Sequence, residues 1–264
     1  YNVTVFNRTE SKAKKWVEEY GGQMGKTPNE ASLHAEIVFM CVGRDEDIIE
    51  VMEGDNGILS SAKEGLIIVD HTTASAEIAR TYFAKLQKKN VAFLDAPISG
   101  GQAGAENGAL SIMIGGQEKD FEVVKPVLQS YGKAIELIGP SGSGQIAKMI
   151  NQICIAGLVQ GLSEAMAFGK KAKVDMEKVL SVISKGAAQS WQMENRYRTM
   201  IDGKFDYGFA VDWMRKDLSI CFNEAKKNGA SLPITEIVDK YYEQVQKNGG
   251  NRLDTSSLMT LVDK

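Results

Sequence analysis

The sequence predicts an α/β domain followed by an all-helical domain, and three observations carry that prediction. Short apolar runs alternate with polar, helix-prone stretches over the first half of the 264-residue chain, as a mostly parallel sheet covered by helices requires. The alternation stops at the small, Gly-rich stretch Gly139-Pro140-Ser141-Gly142-Ser143-Gly144, the best domain boundary in the chain. Beyond it no strand pattern is convincing and helical periodicity takes over. The expected domains are residues 1–140 and 141–264.

The expected strands are residues 2–6, 37–42, 66–70, 91–94, 110–114 and 134–137. They are near-continuous apolar runs, which suits strands buried on both faces. Helices are expected between them at 10–20, 75–88 and 119–130, with Gly21-Gly22 as a helix stop. Residues 146–172 read as one long helix, apolar on almost every face and so buried in a core or against another subunit. Lys148, Asn151, Gln152, Gln160 and Glu164 interrupt it too often for a membrane span. Further helices are expected at 176–184, 211–227 and 233–247, with a short one at 256–262. Asn228-Gly229 and Asn248-Gly249-Gly250 are helix stops.

Composition narrows the function classes. A formal net charge of −3 gives no general attraction to nucleic acid or anionic lipid. Two histidines, His34 and His71, exclude a His-rich metal site and leave few candidates for a Ser-His-Asp triad. No metal site is expected. Cys41, Cys154 and Cys221 form no CxxC and read as reduced core residues of an intracellular, cytoplasmic protein.

Four segments can carry chemistry. Binding sites of an open α/β sheet lie beyond the carboxyl ends of its strands, which places a ligand between the two expected domains. Asn7-Arg8-Thr9 follows the first expected strand and offers a guanidinium and no carboxylate. In a dinucleotide-binding fold an acidic residue at the end of the second strand holds the NAD ribose, whereas an Arg accommodates the 2′-phosphate of NADP. A solvated arginine in a turn is the plain alternative. Asp95-Ala96-Pro97-Ile98-Ser99-Gly100-Gly101-Gln102-Ala103-Gly104-Ala105 follows a strand. Its glycines let backbone N–H groups approach a carboxylate or phosphate, and Ser99 adds a hydroxyl. Lys148, Asn151 and Gln152 share one face of the long helix. A lysine on an apolar helix needs water, a partner or a substrate for its ammonium. Desolvation lowers its proton affinity and makes it a usable general acid, although a lysine that snorkels at a helix start is equally compatible. Arg215-Lys216-Asp217 is a charge run set near the apolar Phe209-Ala210-Val211. No GxGxxG occurs, and Gly142-Ser143-Gly144 matches only part of one.

These pieces together resemble the β-hydroxyacid dehydrogenases of the 3-hydroxyisobutyrate dehydrogenase type, over essentially the whole chain. Three motifs in order carry the resemblance. They are the loop Asp95-Ala96-Pro97-Ile98-Ser99-Gly100-Gly101, continuing to Met113-Ile114-Gly115-Gly116, then Gly142-Ser143-Gly144-Gln145-Ile146-Ala147-Lys148-Met149-Ile150-Asn151, and Phe209-Ala210-Val211-Asp212-Trp213-Met214-Arg215-Lys216-Asp217-Leu218. The resemblance implies a Rossmann-like dinucleotide-binding domain followed by an all-α domain. It implies Lys148 as the catalytic lysine and Ser99, Gly100 and Gly101 as the clamp on a substrate carboxylate. Thr73 then meets cofactor and substrate, Cys41-Val42 passes the cofactor, and Lys216 reaches the cofactor from the helical domain. Phe209 and Asp217 match active-site positions of the glyoxylate and succinic semialdehyde reductase branch. Asn7-Arg8-Thr9 and Ser190-Trp191-Gln192-Met193-Glu194-Asn195-Arg196 resemble that NADPH-using branch as well.

Two departures stand out. Gln152 occupies a position where many members carry Asn, with Asn151 able to share its role, and Gln189 stands where a glycine is frequent. The implied activity is NADPH-dependent reduction of a small carboxylated aldehyde, with NAD(H) as a possible cofactor. The alternatives are oxidation of 3-hydroxyisobutyrate, reduction of tartronate semialdehyde, action on imines, or an inactive scaffold of the same fold. A homodimer or homotetramer through the helical domain is expected, with no nucleic-acid or membrane partner. Residues 2–6 match the family's second strand, so its first strand, Gly-rich loop and first helix are expected to be missing from these 264 residues, a piece of roughly 20–30 residues.

Overall fold

The computed structural model describes residues 1–263, and chain contacts divide it into two compact units, Tyr1–Lys148 and Met149–Lys264. In the first unit, β1 (Thr4–Val5), α1 (Glu10–Tyr20) and β2 (Gln23–Met24) form a parallel two-stranded sheet of their own. Gly21, at φ +78°, ends α1 and turns the chain into β2; a two-residue strand has no periodicity for a sequence to reveal.

The main sheet follows. Its elements are α2 (Pro28–Ser32), β3 (Ile37–Met40), α3 (Asp45–Glu53), β4 (Ile67–Asp70), α4 (Ala76–Gln87), β5 (Ala92–Asp95), β6 (Ile98–Ser99), α5 (Gly101–Glu106), β7 (Leu110–Gly115), α6 (Glu118–Leu128) and β8 (Gly132–Gly139). β3, β4 and β5 pair in parallel, with Ile68 opposite Val38 and Phe93. β7 runs antiparallel to β5 and β6 and parallel to β8. The sheet is therefore more mixed than its sequence pattern predicts. The connection from β5 to β7 carries only the short α5, not the crossover that a parallel pairing needs.

Alternation along the strands splits the core in two. Ile68 and Phe93 turn to one face, where Ile48, Met52, Tyr82 and Leu86 of α3 and α4 cover them. Ile67, Val69 and Leu94 turn to the other, against Phe121, Val124 and Leu128 of α6. Ser75 caps α4 by accepting from the Ile78 N–H at 3.0 Å, worth about 1 kcal/mol.

The 29-residue helix α7 (Ser143–Lys171) starts in the first unit and continues into the second. α8 (Met176–Ile183), α9 (Trp191–Ile201), α10 (Val211–Asn228), α11 (Pro233–Lys247) and α12 (Met259–Val262) complete the second unit. Ala156 and Val159 of α7 pack with Met214, Leu218, Val238 and Tyr242 of α10 and α11. Leu162 and Met166 pack with Met176, Leu180, Met193 and Met200 of α8 and α9. α7 is not buried all round: Ile150, Cys154, Leu158 and Phe168 form an exposed stripe. By length and composition α7 could cross a membrane, but its other face is the core of this unit. The cysteines also differ from expectation. Only Cys221 lies in the core, while Cys41 and Cys154 are exposed. Both of those sit on surfaces that the sequence reads as apolar, Cys41 just past a strand end and Cys154 on the α7 stripe.

Candidate active site

The first unit builds a polar cluster where β3, β4 and β5 end. Asp95 closes β5 and is fully buried. Its Oδ1 accepts from the Gly142 N–H at 2.7 Å, and its Oδ2 accepts from the Gln145 N–H at 3.0 Å. The carboxylate thus caps the start of α7, satisfying N–H groups that a helix leaves orphaned. Burial raises its proton affinity, opposed by those same backbone bonds. Gly115 and Gly144 leave it room, because a Cβ at either position would lie within 3 Å of a carboxylate oxygen.

One turn along α7, Lys148 is buried, and its Nζ donates to the Ile98 carbonyl at 2.8 Å. The ammonium therefore sits against the backbone of the Ser99-Gly100-Gly101 loop. Gly100 at φ +134° and Gly101 at φ +63° take conformations that side chains resist, and they turn β6 into α5. Space around a Cβ at Gly101 is open, which suits close approach of a ligand to the loop.

Gln145 fastens the neighbouring loop. Its Nε2 donates to the Thr72 carbonyl at 2.7 Å and its Oε1 accepts from the Ala74 N–H at 3.0 Å, bracketing the half-buried Thr73. Thr72 Oγ1 accepts from the Val42 N–H at 3.0 Å, joining the loop after β3, with exposed Cys41, to the loop after β4. Burial, with Asp95 and Asp45 nearby, pushes the Asp70 carboxyl up to about 7 against the bonds from Thr72. His71 is buried with its proton affinity lowered by desolvation. Its Nδ1 lies 2.6 Å from the Ala96 carbonyl and its Nε2 2.8 Å from Tyr131 Oη. A carbonyl accepts only, so Nδ1 carries the proton and the tyrosine hydroxyl donates to Nε2. The Asn7-Arg8-Thr9 turn ends β1 in the open. The Asn7 side chain accepts from the Thr9 N–H at 2.8 Å, and Arg8 is exposed, 3.3 Å from Asp47.

The second unit gathers a separate set. The Gln152 Nε2 donates to Asp217 Oδ2 at 2.6 Å, and its Oε1 accepts from the Asn151 amide at 2.8 Å. Lys216 Nζ lies 2.9 Å from the other oxygen of Asp217. Asp217 and Gln152 are buried, and burial, with Asp217 near, pushes the Cys221 thiol up to about 12. Arg215 points elsewhere and grips Asp239 of α11 through two nitrogens at 3.0 and 3.1 Å, so the charge run splits into a strut to α11 and a Lys216–Asp217 ion pair. Phe209 is half-exposed, and its N–H donates to Asp254 Oδ2 at 2.9 Å.

Sequence reasoning missed Asp95 as a helix cap, Gln145 as a loop fastener, and Asp254. Among the described residues no cluster of His, Cys, Asp and Glu can hold a metal ion. The residues fit a dinucleotide by their chemistry: an exposed guanidinium after β1, joined backbone loops after β3 and β4, and the Thr73 hydroxyl.

Residues 1–139 match the family model for the NAD binding domain of 6-phosphogluconate dehydrogenase. Residues 142–262 match that for the NAD-binding domain of NADP-dependent 3-hydroxyisobutyrate dehydrogenase. The chain is 56% identical over its whole length to an uncharacterized oxidoreductase of Shewanella frigidimarina, of which it covers 91%. It is 34% identical to the 2-hydroxy-3-oxopropionate reductase of Escherichia coli, matching 90% of this chain and 82% of that one. In fold it resembles the 3-hydroxyisobutyrate dehydrogenase of Mycobacterium tuberculosis with L-serine, at a TM-score of 0.87 and 23% identity, covering 100% of this chain and 91% of that one.

Proposed function

The chain belongs to the β-hydroxyacid dehydrogenase family, and from that premise we propose that it reduces a small carboxylated aldehyde of the succinic semialdehyde or glyoxylate type with NADPH. It is an NAD(P)-dependent oxidoreductase with a Rossmann-like domain followed by a helical one. The single observation that carries the finer reading is Lys148, a buried ammonium hydrogen-bonded to the backbone of the Ser99 loop.

In the first unit, the Ser99 hydroxyl and the Gly100 and Gly101 backbone hold the substrate carboxylate. Fixing that end orients the aldehyde, an advantage of proximity. Lys148 stabilises the negative charge that develops on the carbonyl oxygen and donates its proton to it. When bound, the nicotinamide cofactor supplies the hydride. Cys41, Val42 and Thr73 line its path, and Arg8 holds the 2′-phosphate, with Asn7 and Thr9 shaping the turn. In the second unit, Phe209, Asp217, Asn151 and Gln152 face the substrate and Lys216 meets the cofactor. The exposed apolar stripe on α7 supports self-association into a dimer or tetramer, and the cytoplasm is the proposed place of action.

The test is NADPH and NADH oxidation with a panel of two- to four-carbon aldehyde acids. Turnover of at least one of them, faster with NADPH, is expected; no turnover of any would end the reading. Replacing Arg8 with alanine is expected to lower kcat/KM for NADPH about tenfold, the loss of about 1.4 kcal/mol, and to leave NADH unaffected. Equal use of both cofactors by the parent chain would remove Arg8 from the site.

A further inference from the structure

The stretch Ser190–Arg196 resembles a family branch, yet none of its residues has a role in the reaction above. Arg196 shows what it does. Its guanidinium carbon lies 4.8 Å from the Trp191 ring and 5.1 Å from the Tyr207 ring. Its Nε sits 3.2 Å from Oδ1 of Asp254, a carboxylate with no exposure at all. Two stacked rings and one buried carboxylate leave a planar cation little freedom.

Asp254 in turn gathers the backbone. Oδ1 accepts from the Ser256 N–H at 3.0 Å and from its hydroxyl at 2.6 Å, and Oδ2 accepts from the Phe209 N–H at 2.9 Å. Around this carboxylate the chain near the C-terminus is laced to the loop before α10. The Asp254 N–H donates to the Phe205 carbonyl at 2.8 Å, and the Thr255 N–H to the Phe209 carbonyl at 3.0 Å. The first N–H groups of α10, at Val211 and Asp212, donate to Leu253 and Asn251 carbonyls at 2.9 and 3.1 Å. Gly208 lies against the same carboxylate at φ +75°, and a Cβ there would overlap Oδ2. Both backbone polar groups of Phe209 are thus committed to residues 254 and 255, while the residue remains 37% exposed.

We propose that Asp254, held in place by Arg196, is a positioning residue for Phe209 and thereby sets which aldehydes the helical unit accepts. Asp254 has no surface with which to meet a substrate; it acts through the backbone that aims the phenylalanine. The inference rests on the reading of Phe209 as a substrate-facing residue.

The test compares Asp254→Asn and Arg196→Lys, each alone and combined with Phe209→Ala, in the full chain. KM and kcat are measured for a two-carbon and a four-carbon aldehyde acid. Arg196→Lys is expected to raise KM about tenfold for at least one of the two, because the flexible ammonium does not reproduce the ion pair and ring packing of the planar guanidinium, with kcat changed less than about threefold and KM for NADPH unchanged. In the Phe209→Ala background that effect should vanish, because coupled residues are not additive. The same fold-change in both backgrounds, or an unchanged KM, would overturn the proposal. If Asp254→Asn does not fold, Arg196→Lys decides the matter, since it leaves the carboxylate in place. Amide hydrogen exchange over residues 205–211 reads the clamp without any turnover: faster exchange at Phe209 in either variant supports the proposal, and unchanged exchange overturns it. A parent chain inert towards every aldehyde would instead sink the functional reading alone.

Discussion

Asp95 in the first unit and Asp254 in the second are equally buried, yet they are stabilised in opposite ways. Asp95 is satisfied mainly by backbone: two N–H groups at the start of α7, with the positive end of that helix facing it, and a longer bond from the Ser141 hydroxyl at 3.3 Å. Asp254 is satisfied by a side-chain cation, Arg196, together with the N–H groups of Phe209 and Ser256. Each occupies a nook that glycines keep open, Gly115 and Gly144 around one and Gly208 beside the other. The difference teaches what each can transmit. A carboxylate bound mainly by a helix start fixes where that helix begins, and so where Lys148 sits one turn later. A carboxylate bound by a cation and a loop fixes how the loop is aimed, and depends on a second side chain that can be changed independently.

Four substitutions can break or sharpen this contrast. The largest effect is expected from Lys148→Ala, with kcat falling about 10²–10⁴-fold, the range for loss of a general acid. NADPH affinity by fluorescence titration should stay near the parent value; a near-normal rate would show that the helix fixed by Asp95 does not deliver the chemistry. Next comes Asp254→Ala, expected to cost about 3 kcal/mol in urea unfolding, because it strands Arg196 between its aromatic partners and leaves the Phe209 N–H unmet. Asp95→Ala should cost less, about 2 kcal/mol, since no cation is abandoned and only neutral donors, two N–H groups and the Ser141 hydroxyl, lose their acceptor. A larger loss at Asp95 than at Asp254 would invert the comparison.

The last effect, confined to a pH window, concerns Asp70, which stands beside Asp95 in the parallel register of β4 and β5. Its folded proton affinity lies near 7 against an ordinary value of 3.8. The folded state therefore holds a proton that the unfolded chain has lost, and stability declines as pH rises from about 4 to about 7. Asp70→Asn cannot ionise. Its melting temperature should gain a few degrees on the parent between pH 5 and pH 8, measured by thermal unfolding across that range. A parallel pH dependence in both chains would show that Asp70 is already ionised at pH 5.

Local patterns were legible in the sequence. Apolar runs located β3, β4, β5, β7 and β8, and the Gly-rich stretch announced the change to helices. Ser99-Gly100-Gly101 and Lys148 could be singled out because each lies within a short motif whose chemistry is local. The two-residue β2 and β6 could not, since pairing rather than pattern defines them. The antiparallel turn of β7 was equally hidden, because a strand's apolar run carries no direction.

By itself, then, the sequence determined the order of elements, the division into a sheet-bearing and a helical region, and the residue types available for reduction of a carbonyl. Only the tertiary structure decided how the site residues are held. Asp95 meets Gly142 across 47 positions of chain and Asp254 meets Phe209 across 45, and periodicity does not report contacts at that range. A lone Asp in a sequence reads as a surface charge or a turn. Burial makes it an anchor, because an unmet carboxylate away from water is so costly that every donor around it must be arranged to satisfy it.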